Sequence, residues 1–189
     1  KEPMKKIFTT LMIVMLAFTA YSQDFPKMDK SPMDAAYFPE NATKRAWAKE
    51  KGGEPIVRVI YSRPQKNDRN IFGELLKYGE VWRLGANEST ELTLYKDAKV
   101  GGQDVKAGRY AIYAIPQADS WEIHLSSDND RWGPYAYKPE ESLVTKFSVP
   151  TAKTTSTVEA FSIFFEEVDR GAHMVMGWDK TRVAVPITM

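Results

Sequence analysis

Between Tyr61 and Thr90 the sequence gathers Arg63, Arg69, Arg83, Asn87 and Glu88 and interleaves them with Tyr61, Phe72, Tyr78 and Trp82. An arginine presents a rigid planar fork that pairs with carboxylate or phosphate oxygens. Large flat side chains beside such forks suit a small polar ligand. Arg63, Arg69, Trp82, Arg83, Asn87 and Glu88 are therefore a candidate ligand-binding set. Arg63 and Arg83 would anchor an anionic or hydroxyl-rich group, Trp82 would wall it, and Asn87 and Glu88 would orient it. Packing explains the same residues equally well. Arginine and asparagine side chains satisfy the backbone of long loops, Asn87 suits a left-handed turn position, and Trp82 is large enough to be core.

Other chemistry is thinner. Glu88 as a general acid or base would make the protein a hydrolase. That reading needs a second carboxylate at about 5–9.5 Å, and Asp68 and Glu80 are the candidates nearby in sequence. His124 and His173 have no neighbour at metal-ligand spacing. His124 falls in an alternating stretch and is expected to be a hydrogen-bonded strand histidine. "SSDNDRWG" (126–133) lacks the sixth-position glycine and distal glutamate of a calcium loop, so it reads as a solvated turn. There is no nucleophile-elbow serine, Walker loop or dinucleotide glycine pattern. With no cysteine there is no thiol chemistry and no disulfide. No cofactor and no metal are expected.

The elements that must position these residues are strands. "PIVRVIYS" (55–62), "TELTLYK" (90–96), two pieces around Gly101-Gly102, Arg109–Ile115, "SWEIHLS" (120–126), "LVTKFSV" (143–149), "TVEAFSIFFEEV" (157–168), "AHMVMGW" (172–178) and "RVAVPIT" (182–188) alternate or run β-branched and aromatic. Pro150, "DRG" and "WDKT" read as breaks. Arg109–Ile115 is apolar on both faces and should be central and covered on both sides. About nine or ten short strands without crossover helices predict an antiparallel, all-β sandwich, jelly-roll-like or immunoglobulin-like. "GELLKYG" (73–79) is the one stretch after residue 55 with helical character. The sandwich spans 55–189 as a single domain. Residues 23–54 form an extended N-terminal arm with a helical turn around Thr43–Lys51, capped by Asn41 or Thr43. The 55–62 strand should lie near residues 80–84, so that Arg63 and Arg83 flank the turn carrying Asn87 and Glu88.

Residues 1–22 read as a signal peptide. Lys5 and Lys6 precede an apolar run, "IFTTLMIVMLAFTA", and Ala20-Tyr21-Ser22 offers small residues for cleavage after Ser22. The run is short of the ~20 residues that span a bilayer, so export to the periplasm or outside is expected, with no stable membrane span afterwards. The leader holds Lys1, Lys5 and Lys6 against Glu2, so the net charge of +1 becomes about −1 without it. No concentrated basic face argues for nucleic acid. The expected partner is a small molecule or a glycan. The third possibility is a structural protein of the cell envelope. Oligomeric state is not legible.

"SPMDAAYFP" (31–39), "YSRP" (61–64), "IFGEL" (71–75), "KYGEVWRLGANEST" (77–90), "GRYAIYAIP" (108–116) and "WG" (132–133) together resemble the domain of unknown function 2911 family, an exported bacterial family. The likeness runs in order from Ser31 to Ile187. It implies no activity. Its motif positions fall on Tyr61, Ser62, Arg63, Pro64, Arg69, Phe72, Gly73, Tyr78, Gly79, Trp82, Arg83, Gly85, Ala86, Asn87, Glu88 and Thr90. Asp68 stands where the family usually has glycine. Aspartate tolerates positive φ better than most residues, so the loop should keep its shape.

Overall fold

The computed structural model describes residues 24–189. The expected signal peptide and its cleavage point after Ser22 lie outside the described residues. Nine strands form one antiparallel sheet: β1 (Met33–Phe38), β2 (Val57–Ser62), β3 (Thr90–Leu94), β4 (Ala98–Val100), β5 (Gln103–Val105), β6 (Gly108–Pro116), β7 (Ser120–Ser126), β8 (Leu143–Val168) and β9 (Gly171–Thr188). Their order across the sheet is β1-β2-β3-β6-β7-β8-β9-β4-β5. Two short helices, α1 (Ala42–Trp47) and α2 (Pro139–Ser142), complete the regular structure among the described residues. The all-β, antiparallel expectation holds.

Two layers arise from this single sheet because β8 serves both. Its first part pairs with β7 up to Ser120↔Pro150, and from Thr151 it pairs with β9. Pro150 therefore marks a change of partner, where the sequence suggested a strand end. Proline has no N–H to donate, and such a crossing point tolerates that. Asp179, at φ 55, kinks β9 without ending it. The four strands expected over 143–188 are thus two long, bulged ones.

Period-two alternation fills the space between the layers. Val57, Val59 and Tyr61 of β2, Leu92 and Leu94 of β3, and Trp121, Ile123 and Leu125 of β7 point inward. They meet Phe161, Ile163, Met174, Met176 and Trp178 of β8 and β9 in one core. The chain after β2 laces the layers together. Lys66 N donates to Glu159 O (2.8 Å) and Phe161 N to Pro64 O (2.9 Å). The centre of β6 is buried on both faces, as its composition predicted, with Ala111 and Tyr113 covered as well as Ile112 and Ala114.

Two departures concern the ends. Part of the arm is built into the sheet, since Met33–Phe38 forms edge strand β1 against β2. Residues 73–79 form turns instead of a helix, with Gly73 and Gly79 at φ 90 and 82. The helical turn in the arm is present as α1. Asn41 caps it from a left-handed conformation without a side-chain hydrogen bond.

Candidate functional site

The six residues singled out from the sequence do not converge. Alternation puts Arg63 on the same face as Tyr61, toward β8. There its Nε donates to Phe161 O (3.2 Å), one terminal nitrogen to Ser162 Oγ (2.8 Å), and the other to Asp34 Oδ2 (3.0 Å). Arg69 folds back on its own loop and donates to the carbonyls of Lys66 (2.8 Å) and Gln65. Asp68 beside it takes the left-handed conformation at φ 59. Trp82 is core, 5% exposed, with Nε1 donating to Gly85 O at 3.1 Å. Arg83 donates to Asn87 O (3.1 Å) and lies 5.9 Å from the Tyr135 ring. Asn87 holds a left-handed turn position at φ 60 and donates to Asp29 Oδ1 (3.1 Å). Glu88 is exposed and lines a cleft on the outer face of the sheet. The β2 end does lie against the 80–85 segment: a Cβ on Gly85 would sit 2.9 Å from Ser62 O. The proximity is as expected, but Arg63 leaves in the opposite direction from Arg83.

The cleft that Glu88 lines, about 300 Å³, lies on the outer face of the sheet. Its floor is made of side chains whose strand neighbours are core. Arg58 and Ile60 stand between Val57, Val59 and Tyr61. Glu91 stands between Thr90 and Leu92, and Ala111 between Tyr110 and Ile112. Register brings them together: Ile60 opposes Glu91, Glu91 opposes Ala111, and Thr93 lies between Arg58 and Arg109. The loop after β7 supplies the wall with Asn129, Asp130 and Arg131. It is stitched to the Asn87–Ser89 turn by Ser89 N to Arg131 O and Gly133 N to Asn87 O, both 2.9 Å.

Most charges in this cleft are matched. Arg109 pairs with Glu91 (3.5 Å) and Asp130, and Arg131 with Asp128. Burial pushes the Glu91 carboxyl above the usual carboxylate range, while the Arg109 guanidinium pulls it back down. Two polar atoms are left over. Arg58 donates once to Thr93 Oγ1 (3.3 Å), but its Nε is buried and has no partner among the described residues. Asn129 donates to Arg109 O (2.9 Å) and Ser127 O (3.2 Å), which fixes the orientation of its amide. Its Oδ1 is buried and accepts from no group among the described residues. An orphaned buried polar group costs roughly 1–3 kcal/mol. A donor and an acceptor are left in that condition on two side chains that line the same cleft. Arg58, Glu91, Arg109 and Asn129 were not singled out from the sequence. The phase of "PIVRVIYS" already places Arg58 on the outer face, but nothing local links it to residues 129–131.

The wall loop is fastened to the sheet by a relay on the same outer face. His124, buried in β7, lies 2.6 Å through Nε2 from Glu122 Oε1 and 2.7 Å through Nδ1 from Tyr137 Oη. The Tyr137 ring stacks on Tyr113 with centroids 4.2 Å apart. This is the hydrogen-bonded strand histidine expected from sequence. The hydrogen bond from His124, with help from Lys146, holds the Glu122 carboxyl below the usual range. Burial, with the charges of Tyr113, Glu122 and Glu140, pushes the Tyr137 phenol up to about 12. A depressed carboxyl stabilises above its unfolded pKa, and that contribution is lost as pH falls through the folded value. A raised phenol stabilises below its unfolded pKa, and that contribution is lost as pH rises through the folded one. The near-ultraviolet circular dichroism of the Tyr113–Tyr137 stack is therefore expected to be flat in the neutral range. It should fade below about pH 4 and again above about pH 10–12. A signal unchanged down to about pH 2 and up to about pH 12 would show that neither Glu122 nor Tyr137 holds the loop.

A larger cavity, about 540 Å³, lies elsewhere, beside β4, β5 and the β8–β9 turn. Its lysines are paired with its own acids, Lys99 with Asp104 (2.7 Å) and Lys106 with Asp97 (2.8 Å), on exposed side chains. It contains none of the orphaned buried atoms, so its size carries less weight than the chemistry of the smaller cleft. No group of three or more His, Asp or Glu among the described residues is placed to hold a metal ion. No helix among them is long and apolar enough to cross a membrane.

Residues 43–187 match the family model described as "Protein of unknown function (DUF2911)". No curated protein and no solved structure matches the chain.

Proposed function

The chain belongs to the DUF2911 family, and from the outer-face cleft we propose that it is an exported binding module for a small polar ligand. One observation carries the reading. Arg58 and Asn129 line the same cleft, and each carries a buried atom, Nε as donor and Oδ1 as acceptor, with no partner among the described residues. A ligand presenting an acceptor to Arg58 and a hydroxyl or amine to Asn129 satisfies both once the side chains that cover these atoms move aside. Glu88, exposed at the wall, accepts from a further hydroxyl or amine. The arginines and acids lining the cleft balance in sign, which favours a neutral, hydroxyl-rich or zwitterionic ligand over a polyanion.

Arg58→Met keeps the aliphatic stem and removes the orphaned nitrogen. A screen of monosaccharides, sugar acids, amino acids and dicarboxylates by thermal shift tests the proposal. A ligand at a hundredfold excess over its Kd stabilises by about 2.7 kcal/mol, a rise of roughly 5–10 °C for a domain of this size. The variant should fold with unchanged or higher Tm and lose that rise, because sites built to bind carry groups that cost stability. A lowered Tm with no ligand found for either protein would make Arg58 part of the scaffold.

A hydrolase keeps one supporting observation. Glu91, a carboxyl pushed up by burial, lines the same cleft as Glu88, whereas Asp68 and Glu80 do not. In that case Glu91→Gln would abolish turnover of a bound glycoside while leaving its binding intact.

A further inference from the structure

The wall loop carries aromatic side chains that packing does not explain. Trp132 is 61% exposed and Tyr135 is 79% exposed. Single exposed aromatics are ordinary, but these two stand on a backbone held rigidly in place. Gly133 between them donates to Asn87 O (2.9 Å), and its carbonyl accepts from Ser89 Oγ (2.9 Å). Trp132 itself bridges to Glu88 in antiparallel fashion. At φ 65, Gly133 holds a conformation that other residues rarely adopt, and a side chain there would push its neighbours aside. A Cβ there would sit 2.7 Å from the Tyr135 ring and 2.8 Å from an Arg83 terminal nitrogen. The glycine lets ring and guanidinium close on each other and leaves the outer surface of the ring to solvent.

The same loop also lines a second cleft of about 290 Å³, whose lining includes Leu75, Lys77, Glu80, Arg83 and Tyr135. Arg83 makes one side-chain hydrogen bond among the described residues, to Asn87 O, and so keeps donors for a ligand. The cleft therefore offers an open aromatic face, a guanidinium fork and a carboxylate. Its charges are again mixed in sign. A sugar ring matches this combination: an apolar C–H face to lie on an aromatic ring and equatorial hydroxyls to meet the fork and the carboxylate. Each cleft has the volume of a small ligand, and the 131–135 segment contributes to both: Arg131 lines the first, Pro134 and Tyr135 the second, with Trp132, bridged to Glu88, between them in sequence.

We propose that the two clefts and the aromatic ridge between them form one extended site for an oligosaccharide, with successive sugar units at Arg58, over Trp132, and at Arg83 and Tyr135. This rests on the binding reading of the Arg58 cleft and names its ligand class. The test uses malto-, cello-, chito- and galacturonic oligosaccharides of one to six units, titrated calorimetrically into the intact protein. For the series that binds, Kd should fall at least about tenfold from monosaccharide to hexasaccharide. Tyr135→Ala and Trp132→Ala, both at exposed positions, should each weaken the hexasaccharide roughly three- to tenfold. Each should weaken the hexasaccharide by a larger factor than the monosaccharide. Arg58→Met should weaken both. Affinity independent of length, or unaffected by either aromatic variant, overturns the extended site, while Arg58-dependent binding of the monosaccharide would still uphold the first cleft. If no oligosaccharide of any length binds at millimolar concentration, the carbohydrate assignment falls. The amino-acid and dicarboxylate arms of the thermal-shift screen then decide the first cleft alone.

Discussion

Trp82→Ala is expected to destabilise the fold by about 3–5 kcal/mol, the range for emptying a large aromatic from a packed core. The ring is the hub of an aromatic cluster. Its centroid lies 5.0 Å from Phe161, 5.5 Å from Trp121, 5.9 Å from Trp178 and 6.2 Å from Phe72. Three of these partners are edge-on and Trp178 is stacked, geometries that add to area burial. Nε1 also satisfies Gly85 O. Domains are stable by only about 5–15 kcal/mol, so the variant should lose a large fraction of its stability. Its Tm should fall by roughly 10 °C or more. Urea unfolding followed by far-ultraviolet circular dichroism checks this without relying on tryptophan emission. Trp82→Phe should lose less, since it keeps most of the ring and forfeits the hydrogen bond. A Trp82→Ala protein that keeps its stability and loses a ligand would restore Trp82 to the ligand-walling role its neighbours in sequence suggested.

With Trp82 anchored, the turn that follows it acquires a purpose. Leu84, Gly85 and Asn87 all have positive φ, at 54, 156 and 60. Glycine and asparagine take such conformations readily, but at Leu84 one persists only where the surroundings over-determine it. The surroundings here are the Trp82 bond to Gly85 O, Thr90 Oγ1 donating to Leu84 O (2.5 Å), and Arg83 donating to Asn87 O. Gly85 lies so close to Ser62 that a side chain would strike the β2 backbone. The "GANE" segment is thus a tightly built corner. What it achieves is the placement of Glu88 and Ser89 against the loop of residues 131–133, where together they wall the cleft. A corner and a site wall are here the same piece of chain, which is why its sequence carries more than a turn requires.

Local pattern was enough for the elements and for several single residues. Alternation gave β2, β3 and β7. The doubly apolar run gave a covered β6, and side-chain chemistry gave positive φ at Asp68 and Asn87. Strand β1 was missed because an edge strand has weak alternation: Met33, Ala35 and Tyr37 face outward with little to bury them. The continuity of β8 through Pro150 depends on exchanging β7 for β9, a tertiary event that no local signal records. The cleft was missed for a related reason. Residue types told which side chains have donors, but not which donors are already used. Arg63 and Arg58 are chemically identical and five positions apart. Opposite faces of the sheet make one a tie and leave the other with an unmet nitrogen, and the residues that complete its cleft arrive from 129–131.

That difference between Arg58 and Arg63 is itself testable. Arg63→Ala is expected to destabilise by about 2–3 kcal/mol, in the range for charged hydrogen bonds to partly buried acceptors. The ion pair with Asp34 contributes little of this. Both side chains are more than a third exposed, at 37% and 41%, and such pairs are worth about 0–1 kcal/mol. Asp34→Asn should therefore be nearly silent, which assigns the loss to the bonds with Phe161 O and Ser162 Oγ that join β2 to β8. Tyr61→Phe should cost a comparable 1–3 kcal/mol. It strips the hydroxyl that accepts from Ile163 N (2.9 Å) and donates to Ile163 O (3.2 Å) inside the core. Burial of that hydroxyl already shows in a phenol pKa raised above its usual value. Because Tyr61 and Arg63 seal the same seam, the double variant should lose a different amount from the sum of the singles. The decisive comparison is with Arg58→Met. A tie and a ligand group predict opposite phenotypes: Arg63→Ala unstable with unchanged Kd in its folded fraction, Arg58→Met stable and unable to bind. Stable Arg63→Ala protein that fails to bind would move the site to the inner seam and overturn the assignment of the outer cleft.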